Sequence, residues 1–324
     1  MKHAKSKKPD IYTRITGQIV RALERGVKPW TQPWNAAHAA GPVSRPLRHG
    51  GTAYAGINVV TLWATAMERR YAAPIWMTYR QALQLGGQVR KGEKGAPVVY
   101  ADTIVKTEEE NADGGGGDPS AGDGGDGVRV IPFLKSYTVF NVEQIDGLPA
   151  HYYALAAGEP NPDARIARAE AYFAATGADI REGGNSACYI PGLDTIHMPP
   201  FEAFRDAESY YSTLAHECTH WTRHESRLNR DFGRKKFGDA GYAREELVAE
   251  LGAAFLCADL GITLEDREDH AAYIGSWLQV LKNDTRAIFT AAAHAQKAVS
   301  YLHGLQPKAD GEADTSDTDD EAAA

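Results

Sequence analysis

Cysteine is scarce. Cys188, Cys218 and Cys257 are the only three in 324 residues, too few and too scattered for a disulfide framework or a CxxC zinc ribbon. A reducing, cytoplasmic setting is the expectation. No apolar run approaches the roughly 18–20 residues of a membrane span, so no membrane partner is expected. The opening MKHAKSKKPD is basic but lacks the apolar stretch of a signal peptide. A P-loop, a GxSxG elbow and a dinucleotide fingerprint are also missing, which removes the best-marked routes to nucleotide hydrolysis, serine-ester chemistry and NAD binding. Hydrophobic residues at 43% and charged residues at 24% exclude a wholly disordered or fibrous chain, and the length suits two ordinary domains or one large one.

Charge is unevenly spread. Residues 1–106 carry 17 Lys/Arg against 5 Asp/Glu, residues 107–149 carry 2 against 9, and residues 150–324 carry 16 against 29. A basic front on a chain of net charge −8 points to two parts with different partners, the first binding a polyanion.

The pattern along the chain is α+β. Ile11, Ile15, Ile19 and Leu23 recur every four residues after Asp10, a helix with a capping aspartate. Gly56 to Tyr71 is helical and apolar, and Thr78 can cap a short helix that ends at Gly86-Gly87. PVVYADTIVK and VRVIPFLKSYTVFNV are rich in β-branched and aromatic residues and read as strands. Between them, residues 107–127 are Gly/Asp-rich with almost nothing to bury, a flexible insertion. A composition shift between Pro149 and Pro162 marks a linker. It separates a basic domain at 10–149 from a mainly helical domain at 160–305, in which a helix and a strand pair precede further helices. The acidic tail, 306–324, reads as disordered.

Chemistry concentrates in LAHECTHW, where His216-Glu217-x-x-His220 forms an HExxH motif. On a helix, residues four apart share a face, so both imidazoles reach one metal ion. Glu217 then stands beside it, placed to take a proton from a water held there. About 25 residues on, YAREELVAELGAAFLCADLGI supplies Glu245, Glu246 and Glu250. Glu246 and Glu250 share a helical face, so one can be the third ligand while the other hydrogen-bonds a ligand histidine from behind. Glu245 lies on a different face. Two histidines and one glutamate leave a fourth position open, the arrangement of a catalytic zinc site, with manganese as the alternative ion. His224 extends the spacing by four, but WTRHESRLNR does not continue as HExxHxxGxxH, and His224 reads as a rim residue. Cys218 reads as a packed thiol and His197 as structural, and Tyr242 is a candidate hydrogen-bond donor to an oxyanion.

In the basic front, cations interleave with aromatics: Lys28, Trp30, Trp34, Arg45, Arg48, Tyr54, Trp76, Tyr79, Arg80, Arg90, Lys91 and Lys94. Cationic grooves that track phosphate, with aromatic platforms for bases, bind single strands. Within the helical pattern Trp63 reads as core. The candidate DNA contacts are Lys28, Trp30, Trp34, Arg48, Tyr54, Arg80, Arg90, Lys91 and Lys94. The glycines of RKGEKG would let backbone and phosphate approach closely.

These segments together resemble a known family. YAGINVVTLW, IWMTYRQALQLGGQVRKGEKGAPVVY and YTVFNVEQIDGLP resemble the N-terminal domain of ArdC-type antirestriction proteins, a domain shared with TraC-type plasmid primases. LAHECTHWTRHESRLNR and YAREELVAELGAAFLCADLGI resemble the zincin-like metallopeptidase domain of the same proteins. The spacing of Glu246 and Glu250 resembles the third-ligand helix of glutamate-type zincins, which implies Glu246 as ligand and Glu250 as its orienting neighbour. The resemblance implies non-specific binding of single-stranded DNA, protection of incoming plasmid DNA from restriction, and a metalloprotease fold related to DNA-linked proteases of the Spartan kind. A host restriction-system protein is then a candidate substrate or target. The rival readings are a DNA-coating protein with a non-proteolytic metal site and a primase-associated accessory protein.

Overall fold

The computed structural model describes residues 9–31, 44–107, 128–153, 162–233, 239–264 and 270–307. Trp34, residues 108–127 of the insertion and the tail beyond Pro307 lie outside these. Backbone contacts divide the chain into two compact units, Met1–Ile19 with Pro46–Ala156, and Val20–Arg45 with Ala157–Ala324. This differs from the expected continuous division near 149–160, because Val20–Arg45 belongs with the C-terminal half. The mixed α+β class is as expected.

The first unit opens with helix α1 (Ile11–Glu24), whose last turn passes into the second unit. Asp10 Oδ1 accepts the Thr13 N–H at 2.7 Å, the expected cap, and Ile15 and Ile19 are fully buried. Strand β1 (Leu47–Arg48), helix α2 (Ile57–Arg69), strand β2 (Ile75–Thr78), helix α3 (Tyr79–Gln84), and strands β3 (Gln88–Val89), β4 (Ala96–Thr107), β5 (Val128–Asn141) and β6 (Ile145–Asp146) follow. The main sheet has the order β1-β2-β5-β4, and β3 pairs with β6. The long hairpin runs in register from Ala96 opposite Val139 to Thr107 opposite Val128.

Helix α2 is buried along most of its length, Trp63 included. It is clamped to β4 by Asn58, whose side chain bonds both the N–H and the C=O of Val99 at 2.8 Å. Thr78 and Gln81 form a reciprocal capping box that starts α3 beside β2. Met77, Ala82, Val89, Val142, Ile145, Leu148 and Tyr152 close a core beneath it. Gly95 is required by packing: a Cβ there would lie 2.6 Å from the Val139 carbonyl oxygen. That glycine is therefore needed for β4–β5 packing.

In the second unit, helix α4 (Pro162–Ala174) precedes strands β7 (Asp179–Glu182), β8 (Cys188–Ile190) and β9 (Thr195–Met198), then helices α5 (Ala207–Trp221), α6 (Ala240–Leu260), α7 (His270–Asn283) and α8 (Ala287–Gly304). The expected strand pair is a three-stranded sheet in the order β7-β9-β8. Helix α6 is the centre. It is buried on every side from Glu245 to Cys257 and packs on α5, α7 and α8, as expected of a helix with no polar face. Gly252 sets its distance from α5, because a Cβ there would meet Thr219 Oγ1 at 2.6 Å and Cγ2 at 2.5 Å. Thr219 is itself fully buried and held by its own bond to the Ala215 carbonyl. The close crossing of α5 and α6 at this glycine brings the two motif helices together.

Candidate metal centre and nucleic-acid face

Helix α5 begins at Asp206, whose side chain accepts the Ser209 N–H at 2.8 Å, and three turns later presents His216 and His220 on one face. Their Nε2 atoms lie 3.1 Å apart. Glu246 reaches between them from α6, with Oε2 3.5 Å from His216 Nε2 and Oε1 3.5 Å from His220 Nε2. Tetrahedral donors about 2.0–2.1 Å from a metal stand about 3.3 Å from one another, so the triangle has the size of a coordination sphere. The same three residues are the metal-competent cluster among the described residues. His224 is not part of it: α5 ends at Trp221, and His224 lies in the following turn against Ser226 Oγ at 2.8 Å.

Carboxylates stand behind both imidazoles. Glu245 Oε1 is 3.0 Å from His220 Nδ1, and Arg230 holds the same carboxylate through two bonds of 2.8 Å. Arg230 also donates to the Thr219 carbonyl and to Thr222 Oγ1, which ties it to the end of α5. Behind His216, Glu250 Oε2 approaches Nδ1 to 3.9 Å, while Lys28 Nζ and Trp30 Nε1 each donate to Glu250 Oε1 at 3.2 Å. Carboxylates in this position fix ring orientation and raise ligand basicity.

The charges interact strongly. Burial pushes Glu246 up, but the His220 and His216 rings beside it hold its carboxyl well below the usual range. Burial likewise opposes Glu245, yet Arg230 and His220 bring it down to about 2. For His220, burial favours the neutral ring, but Glu246 and Glu245 prevail and raise it to about 10 without metal. The buried carboxylates therefore favour positive charge at this position.

Glu217 is bonded to the neighbouring sheet. Its Oε2 accepts the Tyr189 N–H of β8 at 2.8 Å, so the sheet edge orients the carboxylate. A cleft of about 340 Å³ opens over His216, Glu217, His220 and Glu246, walled by Tyr189, Phe232, Tyr242 and Tyr273. The Tyr242 and Tyr273 hydroxyls are 3.0 Å apart. Burial, Tyr273 and Glu246 all push the Tyr242 phenol upward, so it stays protonated at the rim, able to donate. Cys218 is fully buried, with its thiol pushed up by burial and Glu217. The buried His197 Nε2 has no hydrogen-bond partner.

The structure revises the nucleic-acid face more heavily. Lys28 and Trp30 are 5% and 2% exposed and belong to the Glu250 network in the second unit, so neither is available to DNA. Arg45 is also buried, bonded through both Nε and Nη2 to Asp259. Tyr54 is buried beneath Arg48, whose guanidinium carbon is 5.4 Å from the ring centre, and Trp76 is buried too. Arg48, Arg80, Arg90, Lys91 and Lys94 remain exposed. Arg90, however, is bonded to Asp146 at 3.2 Å, Glu93 at 3.1 Å and the Glu143 carbonyl at 2.6 Å.

Comparison with known proteins settles the family. Residues 9–140 match the N-terminal domain of anti-restriction factor ArdC, and residues 167–294 match a zincin-like metallopeptidase domain. The metal-free crystal structure of the antirestriction ArdC protein from plasmid R388 is 46% identical, with 92% of this chain and 98% of that one aligned at a TM-score of 0.74. The chain belongs to the ArdC antirestriction family. A Mn(II)-bound structure of the R388 ArdC protein aligns equally far at 45% identity and a TM-score of 0.72. The protein y4eC of Sinorhizobium fredii (strain NBRC 101917 / NGR234) is 44% identical over 93% of this chain and 94% of its own. The DNA primase TraC of Escherichia coli is 40% identical over 94% of this chain, which spans 28% of the primase's length. In this ArdC-family chain the metal-competent cluster lies inside the zincin-like match. Among the described residues no helix is long and apolar enough to cross a membrane.

Proposed function

We propose that this chain binds single-stranded DNA through its first unit and acts as a zinc-dependent peptidase through its second, protecting incoming plasmid DNA from host restriction. The observation that carries the peptidase reading is the donor triangle of His216, His220 and Glu246 beside Glu217, at the floor of an open cleft. His216, His220 and Glu246 would hold the ion, and a bound zinc would supply Lewis-acid chemistry there. Manganese fits the same donors less selectively, since imidazole favours zinc. Glu217, oriented by the Tyr189 N–H, is the general base, Glu245 holds the His220 ring, and Glu250 lies behind His216. Tyr242 donates to the oxygen of a carbonyl undergoing attack. Aromatic walls suit an extended peptide segment, and a host restriction-system protein is the substrate this reading favours.

The zincin match and the ArdC relatives support this proposal, and the exposed cations of the first unit support the DNA part. The test compares wild type with Glu217→Gln in a transfer assay into a restricting host, with restriction-system subunits followed by gel. Glu217→Gln should keep its metal and lose both protection and any subunit cleavage. Full protection by Glu217→Gln would favour a DNA-coating role.

A further inference from the structure

Resting on the single-strand reading, we infer that a cavity formed by Tyr79, Gln88, Arg90, Phe140 and Asp146 receives one unstacked nucleobase. Elimination narrows the aromatic platforms. Trp30, Tyr54, Trp63 and Trp76 are buried, whereas Tyr79, Tyr100 and Tyr153 are exposed, and of these three Tyr79 is the one that lines a cavity with cations. The cavity is about 630 Å³, within the roughly 300–1,000 Å³ usual for small-molecule sites.

The ring is held ready. Tyr79 starts α3 behind the Thr78 cap, its hydroxyl accepts from Gln88 Nε2 at 2.9 Å, and Phe140 meets it edge-on with centroids 6.4 Å apart. Stacking a base on such a ring incurs little ordering cost.

Charge selects the base over the phosphate. Arg90 is paired with Glu93 and Asp146 in the same cavity, so its charge is offset and a phosphate gains little from it. A neutral heterocycle gains more: an aromatic face, the Gln88 amide, the Asp146 carboxylate as acceptor, and a guanidinium held by three acceptors. Arg80 beside Tyr79, and Lys91 and Lys94 on the adjoining turn, are exposed and placed for the flanking phosphates. The site would read the π-face common to all bases, which gives sequence tolerance.

The experiment is fluorescence anisotropy of the full chain with two labelled oligomers of equal length, one of thymidine and one abasic. Tyr79→Ala and Tyr79→Leu should each weaken thymidine binding by roughly 5- to 150-fold, the range of one lost stack, with abasic binding unchanged. Tyr79→Phe should retain both, and Lys91→Ala should weaken both. Unaltered thymidine binding by folded Tyr79→Ala and Tyr79→Leu would overturn the cavity assignment and leave the single-strand reading standing. Equal losses on both oligomers would overturn it too. A wild-type chain that bound neither would overturn the reading and the cavity together.

Discussion

The two units use charge in opposite ways. In the second, Glu245, Glu246, Glu250, Arg230 and Lys28 are all at most 8% exposed, the glutamates beside His216 and His220 and the two cations behind the glutamates, so every charge is matched by another at hydrogen-bond or ion-pair distance. In the first, Arg48, Arg80, Lys91 and Lys94 are in water, and Arg90 bonds partners that water also reaches. A buried network is specific and unforgiving, because removing one member strands another without solvent. A solvated set is tolerant, adjustable by salt, and suited to a partner with a repeating anionic backbone.

The largest expected effect follows from breaking the buried side. Arg230→Met should destabilise the second unit by about 3–5 kcal/mol, since it leaves Glu245 buried against one partner fewer; Arg90→Ala should change stability by less than about 1 kcal/mol. Thermal melts of the two variants measure the contrast. Acid sharpens it. Glu245 sits at about 2 in the fold against an ordinary 4.5. A depressed carboxylate contributes its stability above its unfolded value, so that share is lost as pH falls from about 4.5 towards 2.

Next in size is the helix crossing. Gly252→Ala drives a Cβ into Thr219, a buried β-branched side chain between the two histidines, and overpacking of this kind costs about 1–3 kcal/mol. It should also weaken metal binding, because it shifts α6 and Glu246 with it. Calorimetric titration with zinc reads the second effect separately from the melt.

Protons should compete with metal at His220. Glu246 and Glu245 raise its folded value to about 10 without metal, so the ring should carry a proton at neutral pH and should lose it on becoming a ligand. Metal binding at pH 7–8 should therefore release about one proton from this ring, and affinity should climb with pH towards 10. Calorimetry in buffers of different ionisation enthalpy counts the protons; no buffer dependence would contradict the coupling.

The smallest effect on stability, within about 0.5 kcal/mol, is expected for the double replacement Lys91→Ala and Lys94→Ala. Its consequence should appear in the salt dependence of single-strand binding, with the slope of log affinity against log salt flattened by about 1.4.

The two units also differ in how much could be read from residues alone. HExxH is a local code: helical pitch by itself places His216 and His220 together, and the same pitch put Glu246 and Glu250 on one face of α6. Glu245 contacts His220 through the angle at which α6 crosses α5, which spacing does not encode. Arg230 is one of several arginines after the motif, and nothing local marks it as the buried one. Lys28 and Trp30 show why the DNA face was misjudged. A lysine beside tryptophans in a basic stretch has the composition of a nucleic-acid groove, but their partner Glu250 is more than 200 residues away. Tyr79, by contrast, follows the capping box at Thr78, a local feature, although Phe140 and Asp146 reach the cavity only through sheet pairing.

The central claim is the three-donor metal centre, and metal stoichiometry tests it most directly. Wild type and Glu217→Gln should each hold one divalent ion per chain after zinc loading and gel filtration, while His216→Ala, His220→Ala and Glu246→Gln should each lose most of it. Full occupancy in the three ligand variants, or loss of metal in Glu217→Gln alone, would contradict the account.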